Sequence, residues 1–176
     1  MIKQMFSART LSLTGALLLS VGAVTSTDAA TAQQDLSVTA SVTANCTIAT
    51  SPVAFGAYDP ITTNASAALN ATGTVSVTCT SGASTTVTLG QGANAGTGSS
   101  DAAPARRLSD GSTHFLTYSL YQDNGRSTVW GNTAGTGVAS TGSGAQQSLT
   151  VYGSVDAGQN VPAGSYSDTV TATVTF

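Results

Sequence analysis

Apolar and hydroxyl-bearing side chains alternate with a strict period of two near the end of this chain. Val170, Ala172, Val174 and Phe176 fall on one face, and the threonines between them fall on the other. Successive side chains of a β-strand point to opposite faces of its sheet, so this period predicts strands with one buried face. The same alternation recurs over residues 36–43, 74–79, 85–89 and 148–155.

The composition supports an all-β protein. Glutamate is absent, the only lysine is Lys3, and charged residues make up 7% of the chain, so the side chains that favour helices are scarce. Threonine and valine are abundant, and their branched side chains suit the pleated surface of a sheet.

Further strands are expected where apolar pieces stand between turn residues. Residues 46–49 and 53–55 are short apolar segments interrupted by Pro52. Residues 58–73 are predicted to form a loop. His114 to Tyr121 carries the bulkiest side chains and predicts a central strand. Asn124-Gly125 predicts a tight turn leading into a returning strand over residues 127–130.

The remaining segments complete the predicted fold. Residues 90–104 and 131–144 carry almost no apolar bulk and are expected to be connections, whereas residues 165–176 form the last strand. About six to seven strands with glycine-rich turns predict a β-sandwich of immunoglobulin-like or jelly-roll topology.

The N-terminal segment has the pattern of a secretion signal. Lys3 and Arg9 precede an apolar stretch over residues 11–24, and small residues follow, so cleavage is expected after Ala29, Ala30 or Ala32. We therefore expect a signal peptide over residues 1–32 and export through the inner membrane. Residues 33–176 suffice for one domain with its own core.

The charge balance excludes one class of partner. Residues 33–176 contain three arginines against seven aspartates. Binding to nucleic acid requires a basic face that neutralises phosphates, so no nucleic-acid partner is expected. Two of the arginines are adjacent, Arg106 and Arg107; they could bind an anionic surface, but a solvated pair beside a strand is the favoured interpretation.

Cys46 and Cys79 are the only cysteines, and both lie in the exported part of the chain. Oxidising compartments favour pairing, so we predict one disulfide between them. A zinc site is the competing explanation, but two cysteines and a single histidine do not supply a closed zinc shell.

The two ends of residues 33–176 have matching patterns. The final strand ends at Phe176 with an apolar face and an open edge, which is a template for another strand. Leu36, Val38, Ala40 and Val42 form a similar apolar face on an N-terminal arm. If the arm is donated to the next molecule, the head-to-tail contact does not close and a filament results. The pattern alone leaves open that the arm simply joins its own sheet.

From Cys46 to Phe176 the sequence resembles the spore-coat-protein-U-like family, which includes subunits of archaic (Csu-type) chaperone-usher pili. The residues that carry the resemblance are Phe55-Gly56, Tyr58-Asp59-Pro60, Val75 to Cys79, Arg107-Leu108, Leu116, Tyr118, Leu120-Tyr121, Asp123, Trp130-Gly131, Val151-Tyr152-Gly153, Ala163 to Asp168, and the terminal threonine and valine strand.

The resemblance implies an incomplete immunoglobulin-like sandwich that lacks its final strand and is completed by a donor strand from a neighbouring subunit. It implies a donor arm over residues 33–43 with Leu36, Val38, Ala40 and Val42 as groove-filling residues, and a pilin domain over residues 44–176. The edge of the acceptor groove is expected to include Val170, Ala172, Val174 and Phe176.

The partners implied by the resemblance are identical or related pilin subunits, a periplasmic chaperone and an outer-membrane usher. The expected location is the periplasm and then a pilus on the cell surface, with a role in attachment and biofilm formation. Tip adhesins of the family carry an additional binding domain, so a shaft or an adaptor position is expected here.

Catalytic chemistry is not expected. His114 is the only histidine, and neither a G-x-S-x-G elbow nor a phosphate-binding loop with lysine occurs. No cofactor, metal or small-molecule substrate is therefore predicted. The alternative to a pilus subunit is a monomeric exported β-sandwich that binds surfaces or carbohydrate.

Overall fold

The computed structural model describes residues 28–176, so the predicted signal peptide lies largely outside the described residues. Ser41–Phe176 forms one compact unit, and the residues before Ser41 belong to a separate unit. Residues 28–45 contain no strand, and the side chains of Leu36, Val38 and Val42 are each 86% exposed. The half-buried strand expected over residues 36–43 is therefore not formed within a single chain.

The compact unit contains eight strands and two short 3-10 helices. The strands are β1 (Cys46–Ser51), β2 (Leu69–Cys79), β3 (Ser84–Leu89), β4 (Arg106–Ser109), β5 (Phe115–Tyr121), β6 (Val138–Thr141), β7 (Gln146–Val155) and β8 (Ala172–Thr175). The 3-10 helices are Thr63–Ala65 and Ala134–Thr136. No helix among residues 28–176 is long and apolar enough to cross a membrane.

The strands form two antiparallel sheets. The five-stranded sheet has the order β1-β2-β7-β5-β4, and the three-stranded sheet has the order β6-β3-β8. In the middle of the larger sheet β2 and β7 pair from Leu69↔Val155 to Thr78↔Gln146. This arrangement confirms the predicted all-β class and the two-sheet sandwich.

The core lies between the two sheets. The apolar positions of the alternating segments supply it, as the period of two predicts. The buried apolar side chains are Val75, Val77, Cys79, Val87, Leu89, Leu116, Tyr118, Leu120, Trp130, Val151 and Val155.

The strand β2 begins earlier than expected, because the predicted loop over residues 58–73 ends before Leu69. Gly73 lies inside the strand rather than in a turn. A Cβ at this position would stand 2.7 Å from the side chain of Val53 and 2.8 Å from the carbonyl oxygen of Ser51. Glycine is present here because the earlier segment of the chain at residues 51–53, where β1 ends, packs directly against the strand.

The expected hairpin after Asn124-Gly125 is reduced to a single bridge, Tyr121↔Val129. The backbone N–H of Trp130 still donates to the carbonyl of Leu120, but the indole N–H donates to the carbonyl of Val87 in the other sheet. The chain therefore leaves the larger sheet to cross the sandwich at Trp130, and no returning strand forms.

Two other expectations are corrected at the smaller sheet. The predicted connection over residues 131–144 contains β6, which pairs with β3 from Ser84↔Thr141 to Val87↔Val138. The predicted long final strand over residues 165–176 is a strand only at Ala172–Thr175. Before it, Ser167 pairs with Ser109 of the larger sheet, so this segment is crossing between the sheets and cannot continue β8.

Candidate functional site

Two strand edges without a partner approach each other on one side of the sandwich. The strand β1 pairs only with β2, and β8 pairs only with β3, in the sheets formed by the described residues. The strands β1 and β8 contact each other across the gap between the sheets. An edge strand presents a row of unpaired N–H and C=O groups, so this side of the molecule offers two edges for an additional strand.

The gap between these edges is apolar. Val170, Ala172 and Val174 are half-buried against the core, whereas Phe176 is 53% exposed at the end of the row. On the opposite side of the gap, Ile48 of β1 is 38% exposed. The four residues predicted for the groove edge therefore lie together along β8 and its flanks. We call this gap, with the two cavities that continue it, the edge groove.

The first cavity continues the gap at the end of β1. It has a volume of about 210 Å³ and lies between residues 50–55 on one side and Asp168 and Val170 on the other. Core side chains form its floor, among them Val75, Leu89 and Leu120.

The second cavity of the edge groove is larger. Its volume is about 560 Å³, and it lies between residues 53–60 and residues 161–168. Both cavities are lined by Val53, Phe55, Leu108 and Asp168, so they adjoin one another.

The segment after β1 is positioned by two glycines that the sequence did not single out for this role. Gly73 and Gly153 lie beneath it, and a Cβ at Gly153 would stand 2.7 Å from Val53 and 2.8 Å from the ring of Phe55. The ring of Phe55 also packs edge-on against Tyr118, with 6.0 Å between the ring centres. Because Gly73 and Gly153 have no side chains, residues 53–55 pack close to the core and form one wall of the edge groove.

Asp168 is the one charged side chain among the residues that line the two cavities. Its carboxylate accepts a 2.7 Å hydrogen bond from the hydroxyl of Tyr118 and two 3.1 Å hydrogen bonds from the backbone N–H and the side-chain amide of Asn94. Burial raises the pKa of Tyr118, and the hydrogen bond to Asp168 raises it further, so the phenol stays protonated as a donor.

The expectation of a solvated arginine pair is wrong for Arg106. Its side chain is 0% exposed and donates 2.8 Å hydrogen bonds to the carbonyls of Gly90, Leu89 and Trp130. Burial lowers the pKa of Arg106, and the nearby Tyr118 and Asp168 oppose that shift. The guanidinium satisfies carbonyl groups where the chain crosses between the sheets, a role that no local pattern indicates.

Arg107 is also engaged with the protein rather than free on the surface. Its guanidinium donates 3.0 Å hydrogen bonds to the carbonyls of Asn94 and Ala95, and it stacks 4.0 Å from the ring centre of Phe115. Neither arginine supports the anionic-surface site considered from the sequence.

The cysteines are joined by the predicted disulfide, Cys46–Cys79. These two residues face each other where β1 and β2 pair, so the bond ties the β1 edge to the centre of the larger sheet.

His114 lies at the surface, with Nδ1 2.7 Å from Oδ2 of Asp110. The hydrogen bond from His114 lowers the pKa of the Asp110 carboxyl. Residues 28–176 contain no group of three or more side chains arranged to hold a metal ion.

Comparison with a solved structure supports the fold. A chain of the CsuC-CsuE chaperone-tip adhesion subunit pre-assembly complex, from archaic chaperone-usher Csu pili of Acinetobacter baumannii, matches with a TM-score of 0.55 and 21% identity. The match covers 77% of this chain and 40% of the solved chain. The shared fold is the immunoglobulin-like sandwich that the sequence predicted.

Comparison of sequences identifies the family. Protein U of Myxococcus xanthus is 43% identical over 156 residues, which cover 85% of this chain and 87% of that protein. The family model of the Spore Coat Protein U domain matches residues 32–173. The chain therefore belongs to the Spore Coat Protein U domain family and is a structural protein, not an enzyme, as the sequence predicted.

Proposed function

We propose that this chain is a structural subunit of an extracellular chaperone-usher pilus and that it polymerises head to tail by donor-strand exchange. In this proposal the arm over residues 33–43 of one subunit inserts into the edge groove of the next. A periplasmic chaperone holds the groove until an outer-membrane usher assembles the fibre, which contributes to surface attachment and biofilm formation.

The observation that carries the proposal is the free, apolar edge of β8 beside the free edge of β1. Exposed apolar edges are aggregation sites, and exported proteins must cover them. The chain itself contains a complementary segment, because Leu36, Val38 and Val42 are each 86% exposed and repeat with the period of a strand. Burying each such side chain contributes roughly 1.5–3 kcal/mol, enough in sum to hold two subunits together.

The lengths of the two apolar rows also correspond. The arm carries four apolar residues at alternate positions, and the β8 row carries four as well. If the arm pairs antiparallel with β8, Leu36 lies beside Phe176 and Val42 beside Val170. A shift of two residues would place Val42 beside the carboxylate of Asp168, which disfavours that register.

The comparisons support the class of assembly. The solved complex of similar fold contains a chaperone and a tip adhesion subunit of a pilus. A chaperone partner and a pilus location for this chain are taken from that likeness and belong to the proposal.

The test uses two substitutions on opposite faces of the arm. Val38→Asp places a charge in the apolar edge groove, which costs several kcal/mol, whereas Thr39→Asp points to the other side of the strand. Both variants are expressed in one background with the cognate chaperone and usher. We expect Val38→Asp to abolish SDS-resistant multimer ladders and surface fibres, and Thr39→Asp to retain them.

Equal tolerance of both substitutions would show that the arm is not the donor. A wild-type chain that remains a stable monomer, with its arm protected within its own sheet, would instead support a monomeric surface- or carbohydrate-binding sandwich. Removal of residues 33–43 provides a further comparison, since the groove then has no donor and the chain should aggregate unless a chaperone is present.

A further inference from the structure

We propose that Asp168 is a positioning residue for β8: its carboxylate holds the segment leading into this strand across the gap between the sheets and so places the edge that receives the arm. The proposal rests on the function of that edge as an acceptor. Asp168 is not one of the apolar residues along β8 that are predicted to contact the arm. Its role is to position those residues.

Asp168 lies where the chain crosses from one sheet to the other. Ser167 exchanges two hydrogen bonds, of 2.8 Å and 2.9 Å, with Ser109 of the larger sheet. Four residues later, Thr171 accepts a 2.9 Å hydrogen bond from Gly90, and Ala172 then pairs with Leu89 of the smaller sheet. The side chain of Asp168 is therefore placed to fix the crossing where it leaves the larger sheet.

The partners of Asp168 come from two separate parts of the molecule. Tyr118 belongs to β5 in the core of the larger sheet, and Asn94 belongs to the connection that follows β3. One carboxylate thus links the crossing segment to both. Charge-assisted hydrogen bonds of this kind are about twice as strong as bonds between neutral groups.

The neighbouring loop is shaped around this carboxylate. Gly92 has a φ of +87°, which favours glycine, and a Cβ at this position would overlap Oδ2 of Asp168. Glycine at position 92 therefore serves the loop in two ways: it adopts the left-handed turn, and its missing side chain leaves room for Asp168.

Arg106 secures the other side of the same junction. It donates hydrogen bonds to the carbonyls of Leu89 and Gly90, the residues that meet Ala172 and Thr171. Its Nη1 has no hydrogen-bond partner among the described residues. Asp168 and Arg106 therefore hold, each through its own hydrogen bonds, the point where β3 and β8 begin to pair.

These hydrogen bonds of Asp168 and Arg106 matter because β8 is joined to its sheet by few residues. Within residues 28–176, only four residue pairs, Thr86↔Thr175 to Leu89↔Ala172, join it to the smaller sheet, and its other edge has no partner strand. Without the carboxylate, the crossing segment keeps its backbone bonds but loses its side-chain hydrogen bonds to Tyr118 and Asn94. The expected result is local opening of β8 while the rest of the sandwich stays folded.

The test compares Asp168→Asn with Asp156→Asn in the exported chain. Asp156 is an exposed aspartate whose backbone carbonyl accepts from Tyr58 but whose carboxylate forms no hydrogen bond with residues 28–176, so its substitution controls for the loss of one charge. Amide hydrogen exchange is followed in peptides covering residues 166–176 and in peptides covering β2 and β7. For Asp168→Asn we expect roughly tenfold faster exchange in residues 166–176 alone, and a lower yield of multimers.

Unchanged exchange in residues 166–176 would overturn the proposal, and so would an equal increase across β2 and β7, which would indicate a general structural role. Asp168→Ala, which removes the acceptor altogether, should open the same peptides further. If wild-type chains form no multimers but the substitution still opens residues 166–176 selectively, the donor-strand function fails while the positioning role of Asp168 stands.

Discussion

The guanidinium of Arg106 donates a 2.8 Å hydrogen bond to the carbonyl oxygen of Trp130, and both side chains are 0% exposed. The indole N–H of Trp130 in turn donates a 2.9 Å hydrogen bond to the carbonyl of Val87. A polar chain therefore runs through the core and joins β4, the crossing at Trp130 and β3. Its members satisfy carbonyl groups that the crossing would otherwise leave unpaired in the interior.

Replacement of Arg106 is expected to destabilise the domain strongly. Arg106→Met keeps much of the apolar volume but removes the donor of two buried hydrogen bonds and one partly buried hydrogen bond, so the free energy of unfolding should fall by about 3 kcal/mol. Urea unfolding of the disulfide-bonded protein measures this change. Arg107→Met is the matched control, and its effect should be smaller, because Arg107 is only partly buried. A loss below that of the control would contradict the proposed role of Arg106.

Gly153 should tolerate no side chain. Alanine at this position would press on Val53 and Phe55, so Gly153→Ala is expected to displace that wall of the edge groove and cost about 1–3 kcal/mol. Gly135→Ala is the control, since nothing lies within 4 Å of a Cβ there. Thermal unfolding of the two variants should show a lower midpoint for Gly153→Ala only. Equal midpoints would mean that the segment shifts without cost.

Asp123 is expected to contribute stability that is lost in acid. Hydrogen bonds from the backbone N–H groups of Thr128 and Ser127 lower the pKa of its carboxyl below the ordinary value of 3.8. A carboxyl whose pKa is lower in the folded than in the unfolded protein stabilises the native state at pH values above its pKa in the unfolded protein. This contribution disappears as the pH falls through its pKa in the folded protein.

The measurement compares wild type with Asp123→Asn. At pH 7 the wild type should be the more stable of the two in urea, and the difference should shrink as the pH is lowered below about 4. A difference that stays constant down to pH 2 would show that the charge of Asp123 is not its cause.

Much of the fold could be predicted because its signal is local. A period of two over residues 74–79, 85–89 and 148–155 places the core residues of β2, β3 and β7, since successive side chains of a strand must point to opposite faces. The disulfide was predicted from two cysteines in a chain that the sequence predicts to be exported. The apolar row from Val170 to Phe176 was predicted for the same reason, although the strand within it covers only Ala172–Thr175.

The remaining features depend on partners that are distant in the sequence. Arg106 is buried because the carbonyls of Leu89 and Trp130 need a donor, and only the folded chain brings those groups to it. The sequence places Gly73 in a loop, and only the structure shows that glycine is needed there because Val53 packs against its backbone. The alternating sequence by itself determined which residues can form strands and which of their faces are apolar. The tertiary structure decided where the strands stop and which edge stays open, because crossing between two sheets requires hydrogen bonds that no local pattern encodes.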